Sequence, residues 1–378
     1  MKALINALIL DKGTLVKDKV LLFNDKIIDI VSKETFKSSV VDTIIDAKGA
    51  YVSAGFIDLH IHGSGGVDVM DATPDALHTL SNTLLETGTT AFLATTMTMS
   101  SPKIKAALQT LQEHAHSVKG AEIVGVHLEG PFIHPQKHGA QDPRFIQPCQ
   151  MDFIAPYLSI IKMITLAPER EGAKAFIQTL QKEYPHIVLS IGHSNASYAQ
   201  AMQSFDWGVS HATHLFNAMN PYHHREPGIV GAVFDSEVTC DMIADGIHTH
   251  ASTLRLVHQM KKEKLLLITD AMRAGCMKQG IYELGGQKVT VKQKRATLED
   301  GTLAGSVLKL NEALRMMVSE GIMSRIEAVN AVTKTVAQKL GLSKGELKKG
   351  YDADIVIFDE DFSIISTIVH GEQKYQRK

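Results

Sequence analysis

The chain has 378 residues, of which 44% are hydrophobic and 21% charged, an ordinary balance for a globular protein with room for one large domain and a small one. Its formal net charge of −2 lacks the basic excess that nucleic acid attracts, and no run approaches the ~18 apolar residues of a membrane span. Neither nucleic acid nor a membrane is therefore expected as a partner.

The chain opens MKALINALIL, where Lys2 before a short apolar run resembles the start of a signal peptide. Asn6 splits that run, Asp11 ends it and no small-residue cleavage site follows, so it reads as a β-strand. Residues 1 to about 52 continue as short apolar runs joined by Asp, Lys and Gly turns, the texture of a β-rich segment. From Gly55 apolar runs alternate with helical stretches. Eight such runs follow in order: FIDLHIH, TAFLATTM, EIVGVHLE, MITLAP, IVLSIGH, GVSHATHL, VTCDMIAD and LLLITDA. Eight parallel strands predict an α/β fold, a (β/α)8 TIM-like barrel.

One connecting helix is sharply marked. Thr73 suits its N-cap, Pro74 its first position and Asp75 its dipole, while Leu77, Leu80 and Leu84 share a face and Gly88 can end it. After the eighth run, YELGGQKVTVKQKRATLEDGTLAGS reads as hairpins, and helical stretches follow near 306–319 and 324–340. The tail from Ala353 returns to strand chemistry. Residues 53–348 are thus expected to form the barrel, and 1–52 plus 349–378 a small β-sandwich domain built from both termini. Cys149, Cys240 and Cys276 are odd in number and far apart, which forms no disulfide framework and suits a reducing cytoplasm.

Chemistry-bearing residues recur where the apolar runs stop, and side chains at the same end of parallel strands converge. His60 and His62 are two apart on the first strand, so both imidazoles face one side and can reach one ion. Glu129 ends the third run, and its two oxygens can ligate one metal or bridge two. His193 and His214 end the fifth and sixth runs; two imidazoles with a carboxylate are a common catalytic zinc set. Asp270, after the eighth, can be a ligand, a general base or both. His127 and His211 are not expected to be ligands, and a supporting or core role suits His211. Arg225, in the HHREPG segment after the sixth run, suits phosphate or carboxylate, and the Asp245–His248 segment lies where such barrels often bind phosphate. Gly63–Gly66 is not a dinucleotide fingerprint, and a serine nucleophile elbow is missing.

HxH, a mid-chain acidic ligand, two single histidines and a final TDA aspartate together resemble the amidohydrolase superfamily. The segments HLEGPF, GHSNAS, THLFNAM, HHREPG, ADGIH and TDAM, in that order, resemble its N-acetylglucosamine-6-phosphate deacetylase family across nearly the whole barrel. The resemblance implies hydrolysis of the N-acetyl amide of a phosphorylated amino sugar, with one or two divalent ions (zinc, iron, manganese or cobalt). It makes Glu129, His193 and His214 the principal ligands, His60 and His62 holders of a second ion, and Asp270 the catalytic aspartate. Ala140, Asn217, Ala218, Arg225, His248, Leu303, Ala304 and Gly305 match substrate contacts. It further implies a homodimer in which Arg225 reaches the neighbouring subunit's substrate. Gln141 stands where some members carry a carbonyl-polarising histidine, and its uncharged amide can still donate to an oxyanion. Two alternatives are a cyclic-amide hydrolase, disfavoured because ITLAPE has no lysine at its strand end, and a non-catalytic scaffold, disfavoured because every ligand is kept.

Overall fold

Strands rich in aliphatic residues on both faces need cover on both faces, and a parallel sheet wrapped by helices supplies it. In the computed structural model, which describes residues 1–11 and 13–378, eight such strands form one parallel sheet. They are β1 (Phe56–Ile61), β2 (Thr89–Thr95), β3 (Glu122–Glu129), β4 (Ile161–Leu166), β5 (Val188–Ile191), β6 (His211–Ala212), β7 (Thr239–Ile243) and β8 (Leu265–Ile268). Each pairs with its neighbour in sequence, so the sheet curls into the expected barrel with the same end of every strand at one mouth.

The barrel has a seam. Among the described residues no ladder joins β8 to β1, and closure rests on a bridge between Ile61 and Ala271 with individual hydrogen bonds. Asp270 N donates to His60 O at 2.9 Å, and His62 N to Ala271 O at 2.9 Å. Lower down, Ile57 N donates to Val332 O at 2.7 Å and Leu267 N to Ala331 O at 3.3 Å.

The marked helix is present as α1 (Pro74–Leu84). Thr73 Oγ1 accepts the Ala76 N–H at 3.2 Å, Leu77, Leu80 and Leu84 are buried, and Gly88 ends the following turn at φ 80°. The late helices differ from expectation. The first begins at Leu310 rather than 306, because Ser306 pairs with Ala271 at the barrel mouth. The second splits into Arg325–Asn330 and Lys334–Leu340. Its break falls where Ala331 and Val332 turn their carbonyls to the two seam strands.

Both termini build a second core. A four-stranded sheet (27–32, 19–23, 2–5, 43–46) faces a six-stranded one (372–376, 364–369, 355–358, 51–54, 8–11, 14–16). Leu4, Ile9, Leu21, Phe23, Val52, Ile355 and Ile368 are buried between them. Ile355–Phe358 pairs antiparallel with Tyr51–Ala54, which joins tail to head as the sequence predicted. The segment after β8 forms a three-stranded antiparallel sheet (280–284, 287–292, 295–297), again as predicted.

A buried cation fastens the two units. Lys344, with 5% of its side chain exposed, places Nζ 2.6 Å from Glu122 at the base of β3 and 2.8 Å from both Asp352 and Asp354 beside the terminal sheets. Burial opposes its charge, but the carboxylates around it, Asp354 and Glu122 foremost, hold the ammonium well above the usual lysine range. Removing one member of a buried ionic cluster leaves its partners uncompensated, at a cost of about 3–5 kcal/mol. Lys344→Met is therefore expected to lower stability by about that amount in chemical denaturation; an unchanged midpoint would show that the cluster does not fasten the domains.

Candidate metal centre

Alternation along β1 points Asp58, His60 and His62 to the barrel interior, and all three are buried. Glu129 is the last residue of β3. His193, His214 and Asp270 each lie two residues beyond β5, β6 and β8, at sharp corners with φ of 48°, 32° and 48°. Non-glycine residues in the left-handed region each cost about 1–3 kcal/mol and persist where surrounding bonds hold them. Here the corners keep three strand-end side chains over the barrel mouth.

Those side chains meet. Glu129 Oε1 lies 3.0 Å from His214 Nε2, 3.1 Å from His193 Nε2 and 3.6 Å from His60 Nε2. Glu129 Oε2 lies 3.3 Å from His62 Nε2. Asp270 Oδ1 is 3.3 Å from His62 Nε2 and 3.5 Å from His60 Nε2. The cluster resolves into two triads that share Glu129: His60, His62 and Glu129, and Glu129, His193 and His214, each with ligand atoms within 4.8 Å of one another.

The donor chemistry fits divalent ions. His60 and His62 bring Nε2 atoms to 3.3 Å, and His193 and His214 to 3.2 Å. All four Nε2 atoms converge on one carboxylate, the imidazole-and-carboxylate donor set that divalent ions such as zinc take. The site also draws positive charge. Burial opposes protonation of His62 and His214, yet Asp270 and Glu129 lift the first well above the usual imidazole range, and Glu129 lifts the second to about 9. Burial disfavours ionised Glu129 and Asp270, but the imidazoles, His60 foremost, hold Glu129 well below the usual carboxylate range and Asp270 at about 2.

Outer groups aim the rings. His193 Nδ1 is 2.8 Å from Lys137 O and His62 Nδ1 3.2 Å from Thr95 O, which turns each Nε2 to the centre. Asp241 accepts the His214 N–H at 2.5 Å and meets His211 Nε2 at 2.8 Å, so His211 supports the site from beneath. His127 bonds Thr165 Oγ1 at 2.7 Å and belongs to neither triad.

Above the triads opens a cavity of about 240 Å³. Ala140, Gln141, Asn217, Ala218, His248, Leu303 and Gly305 line it, together with His62, Glu129, His193, His214 and Asp270. Ala304 is fully buried outside the lining, because alternation at 303–305 turns it away, and Arg225 is exposed and also outside. His248 presents its ring to the cavity with Nδ1 2.7 Å from Asp245 Oδ2. Gln141 sits against the cluster: Nε2 donates to Glu129 Oε2 at 2.9 Å and Oε1 accepts the Thr98 N–H at 2.8 Å. Sequence reasoning missed Met97, Gly139, Leu284 and Thr302, which complete the wall. Met97 extends the second apolar run and was legible as a strand-end residue, but Leu284 and Thr302 arrive with the hairpin segment and carry no sequence signal.

The geometry agrees with what the chain is similar to. Residues 51–374 match the amidohydrolase family. N-acetylglucosamine-6-phosphate deacetylase of Bacillus subtilis (strain 168) is 41% identical over 96% of this chain and 94% of its own. The crystal structure of the Pasteurella multocida deacetylase of that name superposes with a TM-score of 0.94 at 31% identity, covering all of both chains. A Mycobacterium smegmatis variant, solved in complex with N-acetyl-D-glucosamine-6-phosphate, gives 0.91 at 30% identity over 99% of each chain. The chain belongs to the amidohydrolase family.

Proposed function

We propose that the chain hydrolyses the N-acetyl amide of N-acetyl-D-glucosamine 6-phosphate, releasing D-glucosamine 6-phosphate and acetate. The observation that carries this reading is the pair of triads sharing Glu129, with Asp270 beside both and the cavity directly above. Glu129, His193 and His214 would hold one divalent ion, and His60, His62 and Glu129 a second. Zinc, iron, manganese and cobalt all suit imidazole and carboxylate donors. Bound there, such ions polarise the amide carbonyl and acidify water.

The chain's own groups do the rest. Asp270 is the more open of the two carboxylates, with 14% of its side chain exposed against 3% for Glu129, so it can reach a substrate. It accepts the proton of the attacking water and delivers it to the leaving amine nitrogen as the C–N bond breaks. Gln141 commits one Nε2 hydrogen to Glu129 and lies 3.4 Å from His193 Nε2, so its second hydrogen can turn to the carbonyl oxygen once His193 is taken up by an ion. Asn217, Ala218, His248, Leu303 and Gly305, which line the cavity together with Ala140, would contact the phosphorylated sugar.

Among the described residues, no lysine or arginine lines the cavity, so His248 is its one basic side chain outside the triads. A phosphate there calls for a further cation. Arg225 is exposed beside His224 and not turned onto its own cavity, which suits a homodimer in which it serves the neighbour's phosphate. No helix among the described residues is long and apolar enough to cross a membrane, and three free cysteines suit a cytoplasmic enzyme.

Two outcomes test this reading. Asp270→Asn, with metal content checked, is expected to lose about 10²–10⁴-fold in kcat; near-normal turnover rejects the proposed base. Arg225→Ala is expected to weaken KM for the phosphorylated sugar by roughly 10–100-fold, the scale of a charge-assisted hydrogen bond, while the unphosphorylated sugar is unaffected. Equal effects on both sugars would remove Arg225 from phosphate binding.

A further inference from the structure

The seam between β1 and β8 is the weakest join of the barrel, yet it carries three residues of the cluster: His60 and His62 on one side and Asp270 on the other. Its lower half is closed by the carbonyls of Ala331 and Val332. Its upper half is closed by the Ile61–Ala271 bridge with its backbone hydrogen bonds and, just below them, by a side chain. Asp58 is fully buried, two residues before His60. Its Oδ1 accepts the His60 N–H at 3.2 Å and the Thr269 N–H at 3.4 Å, and its Oδ2 accepts the Thr269 hydroxyl at 2.6 Å. The residues joined are 211 positions apart in the chain.

Thr269 passes the restraint on. Its Oγ1 accepts the Ala271 N–H at 3.2 Å, and its carbonyl accepts the Ser306 hydroxyl at 2.6 Å. The peptides on both sides of Asp270 are thereby pinned, while Asp270 itself sits at φ 48° with its N–H on His60 O. We propose that Asp58 and Thr269 form a positioning pair that sets the distance between the His60–His62 edge and Asp270, and so shapes the half of the metal centre built across the seam. The inference rests on the metal-dependent reading of the site above, and it assigns Asp58 no contact with substrate or ion.

A carboxylate fits this task better than an amide. Three donors face Asp58, and its two oxygens only accept. An asparagine would turn an NH2 onto Thr269 Oγ1, and the hydroxyl hydrogen would be left with His60 O at 3.4 Å. Outer-shell partners of this kind typically alter metal affinity or activity by about 10–100-fold.

The test compares Thr269→Val, Thr269→Ser and Asp58→Asn in the full-length protein. Zinc or manganese titration with mass-spectrometric metal counting gives ion affinity, and steady-state kinetics give kcat and KM. Thr269→Val and Asp58→Asn are expected to weaken one of two bound ions by about 10–100-fold and to lower kcat with little change in KM. Thr269→Ser, which keeps the hydroxyl, should retain wild-type values. Equal ion binding in the Val and Ser variants overturns the proposal, as does a Val variant that loses only melting temperature. If Asp58→Asn fails to fold, the Thr269 pair decides alone. Should the wild type bind ions but release no acetate, the deacetylase reading fails while the ion-affinity comparison still reports on the seam.

Discussion

Glu129 is the group on which the site depends. One buried carboxylate faces four imidazoles from three strands and strand ends, and it stands in both triads. A lone ionised carboxylate at that depth would be driven to protonate. The ring of Nε2 atoms keeps it charged, and the same arrangement suits cations, because two imidazole pairs converge on one carboxylate. The barrel brings these side chains from residues 60 to 214 to one mouth, and Gln141 and Asp270 complete the ring from loops.

The second recurring device is a carboxylate that is not a ligand, placed behind a ligand's corner. Asp241 holds the His214 N–H. Glu169 accepts the Ser194 hydroxyl at 2.7 Å and the Asn195 N–H at 2.6 Å, directly after His193. Asp58 holds Thr269, directly before Asp270. Each left-handed corner thus has a local acceptor, which is how a strained backbone is kept at a functional site. Stability and geometry are linked here: loosening a corner relaxes the backbone and moves a ligand at once.

Much of this was legible from the residues themselves. The eight barrel strands, the capped helix at 74–84, the hairpins after β8 and the head-to-tail sheet all follow from short-range pattern, and the structure bears them out. The clustered histidines were visible because an apolar run ending in His or Glu is unusual. What stayed hidden depended on partners distant in sequence. The helix expected over 324–340 breaks because seam strands take the carbonyls of Ala331 and Val332, which no local propensity encodes. Asp58 was visible as a charge inside GFIDLHIH, but its purpose needs Thr269. Ala304 was carried along by its neighbours, although alternation turns it away from the cavity that Leu303 and Gly305 line.

The central claim is that the two triads are cation sites sharing one carboxylate. Anomalous diffraction from crystals grown with zinc or manganese, recorded on both sides of the metal edge, tests it most directly. The account predicts density at the barrel mouth within bonding distance of Glu129, His193 and His214, and a second peak beside His60 and His62. Crystals containing the metal but showing no anomalous peak against Glu129 would contradict it.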